Sequence, residues 1–442
     1  MRVWLRVAAL ILTGSILFIG GSCVIAAVSD SDKFDALKRF SQVLDIVERY
    51  YVKEVPRKEL VDGALKGMLQ SLDPHSTLLT EEEFKEMQEA TSGEFCGIGI
   101  EITQENNHLT VVAPIDDTPA DKAGIKAGDY ILAVNGRPTS EMSLQEAASL
   151  IRGPKKTEVE LTILHKDAKE PTTIKIKRET IPLISIKSRE LEPGYYWVRI
   201  SRFSERTTSE LNEVLKAASK KGPIQGIVLD LRSNPGGLLE QAISVTDVFL
   251  KEGTIVSIRG RMEESSKEFK ATNNTSDITA PIVVLVNAGS ASASEIVAGA
   301  LGDHKRALIV GERTFGKGSV QNIVPLADET GLKLTVALYY TPSGRSIQAE
   351  GIQPDIELPF DPNPVATQTQ NPLHMMREQD LRKHLEKNTS NTKEEKNTKN
   401  NQKSEQNKKE PLPEVKEFLN KDNQLRMGLQ LVKTLPKFRQ IQ

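Results

Sequence analysis

The run Ile282-Val283-Val284-Leu285-Val286 leads into Ala288-Gly289-Ser290-Ala291-Ser292-Ala293-Ser294-Glu295, and that into Ile296-Val297-Ala298-Gly299-Ala300-Leu301. A β-branched run, a turn of small residues and an apolar stretch with helical spacing read as strand, sharp turn and helix. Side chains this small let another backbone approach the turn closely. A serine there presents its hydroxyl at a helix N-terminus, where unpaired N–H groups and the helix dipole favour developing negative charge. That setting suits a serine nucleophile, and equally a plain helix cap.

Around this unit, from Ile181 onward, strands and helices alternate. Strands are expected at 195–203, 224–231, 254–258, 282–286 and 306–310, helices at 205–220, 238–250 and 292–301, and a closing hairpin at 320–326 and 332–340. This is an α/β domain with a sheet covered by helices. Residues 93–180 follow a different pattern, of short strands (95–102, 109–112, 158–164, 172–177) around one helix at 143–152. Upstream, Phe34, Leu37, Phe40, Leu44, Val47 and Tyr51 recur at helical steps. A second helix is expected at 57–72, and Thr80 with Glu83 forms a capping box for a third. These helices form a packing or dimerisation arm.

The ends differ in kind. Arg2 and Arg6 precede an uncharged stretch from Val7 to Ser29. That pattern marks export, as a signal peptide or as a membrane anchor, and puts the body of the protein in the periplasm or an equivalent extracytoplasmic space. No hydrophobic residue occurs from Glu386 to Glu410, so this tract is a polar linker. Beyond it Val415, Phe418, Leu419, Leu425, Leu429 and Val432 suggest one or two helices that dock on a partner subunit or on the N-terminal arm. A net charge of −2 gives no reason to expect nucleic acid, and two cysteines (Cys23, Cys96) with six scattered histidines support neither a disulfide framework nor a metal site. No cofactor is expected.

A serine nucleophile needs a base. His304 lies 12 residues beyond Ser292, roughly 15–18 Å along a helix at about 1.5 Å per residue, and so reads as a surface residue past the helix end. Lys317, in Thr314-Phe315-Gly316-Lys317-Gly318, follows the next strand. Loops beyond the carboxyl ends of strands gather the site of an open α/β sheet, so Ser292 and Lys317 can meet. Burial can bring a lysine pKa from about 10.4 towards 7–8, where the amine serves as a base. Gln321 offers a neutral amide that can orient an uncharged amine. Gly236 and Gly237, in Asp230-Leu231-Arg232-Ser233-Asn234-Pro235-Gly236-Gly237, end another strand. Their N–H groups can form one half of an oxyanion hole, with Ala293 as the other.

Two resemblances follow from these motifs. Ala123-Gly124, Gly128-Asp129-Tyr130-Ile131 and Val134-Asn135-Gly136, in that order, resemble a PDZ domain. That implies capture of a peptide C-terminus by the Gly97-Ile98-Gly99-Ile100 loop and its following strand. The serine, lysine and Asn-Pro-Gly-Gly motifs, with Ser71-Leu72-Asp73-Pro74-His75-Ser76, resemble the carboxyl-terminal processing (tail-specific) serine proteases. The resemblance implies a crotonase/ClpP-like α/β protease core with an inserted PDZ domain. It makes Ser292 the nucleophile, Lys317 the base and Gln321 the partner of the lysine. Ala293 and either Gly236 or Gly237 then form the oxyanion hole.

The division this implies is 1–30 signal or anchor, 31–92 helical arm, 93–180 PDZ domain, 181–365 protease core, and 366–442 linker with a C-terminal helical segment. The expected substrates are proteins with apolar C-termini, and the expected assembly is a homo-oligomer through the helical arms. Arg152, ending the PDZ helix, is either a cap on the helix dipole or a switch between peptide binding and cleavage. Two rival functions are a PDZ scaffold without turnover and a crotonase-like acyl hydrolase or ligand carrier. The intact Ser292, Lys317 and Gln321 argue against the first, the export segment and the PDZ insertion against the second.

Overall fold

A six-stranded sheet carries the serine turn. Its strands run in the order Ile186–Glu192, Tyr195–Ile200, Gly226–Asp230, Ile282–Val286, Ala307–Gly311, Ile356–Glu357. The first pair is antiparallel and the rest are parallel. The central strands are buried on both faces, which is why they read as unbroken β-branched runs. The computed structural model describes residues 28–105, 108–166, 168–262, 266–274, 278–361, 377–381 and 413–439.

Alternation along the strands divides two cores. On one face Ile227, Leu229, Ile282, Val284 and Val286 pack with Leu211, Val245, Val297 and Leu301, from the helices Thr207–Lys221, Leu239–Asp247 and Ala293–Asp303. On the other, Val228, Val283, Leu285 and Val310 meet Val415, Leu419, Leu425, Leu429 and Val432. This corrects one expectation. The C-terminal helices Pro413–Asn420 and Asn423–Arg439 cover the sheet of their own chain, because Val228, Val283, Leu285 and Val310 make an apolar face that needs a cover.

A second, five-stranded sheet pairs Gly331–Tyr340 with Ser319–Pro325, Thr77–Leu79 and Thr254–Gly260, which in turn pairs with Lys267–Lys270. Thr77–Leu79 lies in the stretch expected to be only helical. It precedes the helix Glu81–Ser92, whose Thr80–Glu83 capping box forms as expected. A third sheet has the order Ile100–Glu105, His108–Pro114, Tyr130–Val134, Glu158–Leu164, Thr172–Lys177 and its own core under the helix Leu144–Ile151.

The chain divides into two compact units, Met1–Leu72 and Asp73–Gln442. The described part of the first is the helices Val28–Tyr50 and Arg57–Gln70. Phe34, Leu37, Val43 and Ile46 are exposed on the longer helix. Among the described residues no helix is long and apolar enough to cross a membrane. The expected export segment, residues 1–30, lies outside the described residues apart from its last three positions.

Candidate active site

Of the three serines in the turn, two serve the fold. Ser290 and Ser294 are fully buried. Their hydroxyls donate to Leu231 O at 2.8 Å and Asn234 O at 2.9 Å, which ties the turn to the Leu231–Asn234 loop. Ser292 is half-buried and caps the helix Ala293–Asp303 with φ 53° and ψ −112°. A side chain costs about 1–3 kcal/mol in such a conformation. Ser292→Gly should therefore be more stable than Ser292→Ala by about 1 kcal/mol, since only glycine relieves the strain. Denaturant midpoints read this directly, and equal midpoints would show that the turn is unstrained.

Glu295 joins the serine turn to the lysine loop. It lies on the first turn of the helix and is fully buried. Its Oε2 accepts the N–H of Ser292 at 2.8 Å and of Lys317 at 2.9 Å. Its Oε1 accepts the N–H of Gly316 at 2.7 Å and the Thr314 hydroxyl at 2.5 Å. One carboxylate thus fixes the backbone of both candidate residues. Burial pushes its pKa up to about 7 even against these four donors.

Lys317 is half-buried, and burial is the main cause of a pKa held below the ordinary lysine value. Lys333 pushes the same way, while Glu378, Glu295 and Asp73 oppose. The loop backbone is tied down throughout. Thr314 N–H donates to Ile352 O, Phe315 N–H to Ser290 O, and Gly318 N–H to Gln348 Oε1. A Cβ on Gly318 would stand 2.4 Å from Gln348 N, so only glycine fits there.

Gln321 lies on the strand Ser319–Pro325 beside this loop. Its Nε2 donates to Thr335 Oγ1 at 2.8 Å, and the Thr335 hydroxyl donates to Asp73 Oδ1 at 3.1 Å. Its Oε1 is buried with no protein partner among the described residues. A buried, unpaired acceptor asks for a donor. Asp73 also accepts the Ser76 hydroxyl and the N–H groups of His75 and Ser76. Burial raises its pKa, but these donors outweigh burial and keep it an ionised anchor.

At the third loop, Gly236 (φ 104°) backs onto Ser292. A Cβ there would stand 2.9 Å from Ser292 Cβ and 3.0 Å from Ala293 N. The Gly236 N–H donates to Asn234 Oδ1 at 2.9 Å. Beneath the loop, Arg232 donates to Asp230 at 2.9 and 2.7 Å. It also reaches Asp422 at 3.0 and 2.7 Å and Gln424 at 2.9 Å, both from the C-terminal segment. His304 is half-buried rather than on the surface, and its Nε2 pairs with Thr254 O at 2.7 Å, away from this site.

The Gly97–Ile100 stretch is largely buried, with Ile98 O accepting from Ala120 and Gly99 O from Ile115. Ile100–Glu105 is an edge strand beside the helix Leu144–Ile151. Arg152 is the C-cap residue of that helix, its N–H donating to Ala148 O at 2.9 Å. The side chain that reaches the last carbonyls is that of buried Arg178, which donates to Leu150 O at 2.7 Å and Ile151 O at 2.9 Å. Arg152 stands 3.5 Å from Glu89 and over the Phe95 ring at 5.2 Å.

Sequence reasoning passed over Glu295, Asp73 and Thr335. Glu295 had a signal, since Ser292-Ala293-Ser294-Glu295 has the spacing of a capping box. Thr335 had none, as it sits on a strand with ordinary alternation.

Residues 194–358 match the peptidase family S41, residues 110–165 a PDZ domain, and residues 24–83 the N-terminal domain of the activating protease CtpB. A carboxy-terminal-processing protease of Bartonella bacilliformis is 47% identical over 358 residues, covering 80% of this chain and 82% of that one. The carboxy-terminal processing protease CtpA of Bacillus subtilis is 38% identical over 360 residues, covering 80% and 76%. Among solved structures, a photosystem II D1 C-terminal processing protease is 32% identical and covers 72% of this chain and 92% of that one, with a TM-score of 0.42.

Proposed function

The chain belongs to the S41 peptidases, serine-type C-terminal processing proteases with a PDZ domain, and from that premise we propose that it cleaves protein chains with a Ser292–Lys317 dyad after capturing their C-termini. The observation that carries this reading is the Glu295 carboxylate, which accepts the N–H groups of both Ser292 and Lys317. Neutral Lys317 takes the proton from the Ser292 hydroxyl as its oxygen attacks the scissile carbonyl, then returns it to the leaving amine. Gln321 Oε1, unpaired and buried, is the acceptor that orients the amine. The oxyanion hole takes Ala293 N–H and Gly237 N–H, because the Gly236 N–H is already held by Asn234.

The substrate terminus enters between the edge strand Ile100–Glu105 and the helix Leu144–Ile151, by β-augmentation, with the Gly97–Ile100 loop at the carboxylate. Arg152, paired with Glu89 and Phe95, links that groove to the neighbouring helix Glu81–Ser92 and acts as the switch. Export is supported by Arg2, Arg6 and the uncharged stretch after them. The exposed stripe of Phe34, Leu37, Val43 and Ile46 supports assembly with a second copy.

The test is digestion of a folded domain carrying a defined apolar C-terminal tail. Wild-type protein should shorten it, Ser292→Ala should not, and amidating the tail's terminal carboxyl should slow cleavage. A Ser292→Ala protein that still cleaves overturns the assignment.

A further inference from the structure

Past the protease core, the short segment Arg377, Glu378, Gln379, Asp380, Leu381 returns to the lysine loop. Glu378 is fully buried. Its N–H donates to Phe315 O at 3.1 Å, and its Oε1 accepts Gln348 Nε2 at 2.9 Å. Gln348, also fully buried, uses its own Oε1 to hold the Gly318 N–H. His75 Nε2 lies 2.8 and 2.7 Å from the two Glu378 oxygens. Arg313 Nη2 donates to Gln379 at 3.1 Å. The lysine loop is therefore held from two sides, by Glu295 at Gly316 and Lys317 and by Glu378 at Phe315 and, through Gln348, at Gly318. The Asp73-Pro74-His75-Ser76 turn serves both partners of the lysine, because Asp73 fixes Gln321 through Thr335 while His75 holds Glu378.

We propose that Glu378 is a positioning residue for the reaction, a buried carboxylate that clamps the Phe315–Gly318 loop and sets the charge around Lys317. The proposal rests on the Ser–Lys reading above. The charged groups that face Lys317 are Lys333 from the strand Gly331–Tyr340, Glu295 from the nucleophile helix, Asp73 from the turn and Glu378 from this segment, with His75 on the far side of Glu378. A carboxylate beside an amine favours its charged form, so Glu378 opposes the effect of burial and keeps the base from losing its proton too readily. His75 Nε2 and Gln348 Nε2 are the side-chain partners that hold this buried carboxyl group in place.

The experiment is the pH dependence of kcat/KM for a full-length protein acting on a peptide without titratable groups. In wild type the rate should rise with pH as Lys317 becomes neutral. In Glu378→Gln the isosteric amide removes the charge, and the rising limb should move to lower pH by about one unit. In Glu378→Ala the limb should move likewise. Because Gln348 loses its partner and the loop loosens, kcat should also fall about 10- to 100-fold, with KM changed less than about twofold. A limb that stays in place in Glu378→Gln overturns the proposal, even if activity drops, because loss of structure alone does not move it. If Glu378→Ala fails to fold, the Glu378→Gln profile decides by itself. Lys317→Ala in the same assay separates the two readings. If it is inactive while the Glu378→Gln limb is unmoved, only the role of Glu378 falls. If it retains turnover, the dyad falls first.

Discussion

Lys317→Ala and Lys317→Arg should each lower kcat by about 10³-fold or more, with the fold intact, since a positioned general base contributes roughly 10²–10⁴-fold. Arginine keeps the length and charge but cannot give up its proton, so it removes the chemistry while preserving the cation. That pairing separates a base from a binding cation. If Lys317 merely attracted substrate, Lys317→Arg would retain most of the activity. The loop should tolerate both changes, because its position is fixed through backbone N–H groups on Glu295 and Gln348 rather than through the lysine side chain. Circular dichroism and a thermal midpoint within a few degrees of wild type establish that tolerance, and burst kinetics with an activated ester show whether acylation is the step lost.

The second large effect is on stability. Leu425 and Leu429 are fully buried between the C-terminal helix and the sheet, against Val228, Val283 and Leu285. Gly428 lets the helix lie close, since a Cβ there would come within 3.1 Å of Val228. Leu429→Ala should cost about 2–5 kcal/mol, a large share of the roughly 5–15 kcal/mol that holds a typical domain. Deleting residues 413–442 should go further. It uncovers one whole face of the sheet and leaves Arg232 without Asp422 and Gln424, two residues before the Asn234–Gly237 loop. The expected result is insoluble or molten protein with no peptidase activity. Denaturant unfolding of Leu429→Ala reads the first effect, and a truncated chain with wild-type midpoint and activity would show that the helices are only a tail.

The sequence was most legible where one short-range signal governs one element. The strand Ile282–Val286 and the PDZ strands Glu158–Leu164 and Thr172–Lys177 lie where β-branched runs and alternation put them. The capping box at Thr80 opens its helix as expected. Thr77–Leu79 was not legible, because three residues carry no period and the strand exists only through its pairing with Gly331–Tyr340. The C-terminal helices were visible as helices but not by their destination, since an apolar stripe does not name the surface it covers.

The site divides in the same way. Ser292, Lys317 and the two glycines sit on turns whose small residues mark them in the chain. Ser290, Ser292 and Ser294 differ only in the third dimension, where two hydroxyls are buried in backbone bonds and one residue is left partly open. Glu378 had no signal, as it lies beyond the core motifs at the start of the polar region. Its meaning comes from His75, which is 303 residues away in the chain.

The most direct test of the central claim is covalent labelling of Ser292 by a fluorophosphonate, followed over pH by intact mass and peptide mapping. The account predicts a single adduct on the peptide containing Ser292, and none in Ser292→Ala. It predicts a labelling rate that rises with pH below the ordinary lysine range, since burial holds the Lys317 pKa down. In Lys317→Ala that rate should collapse and lose its pH dependence. Labelling of a different serine, or an unchanged rate and pH profile in Lys317→Ala, would contradict it.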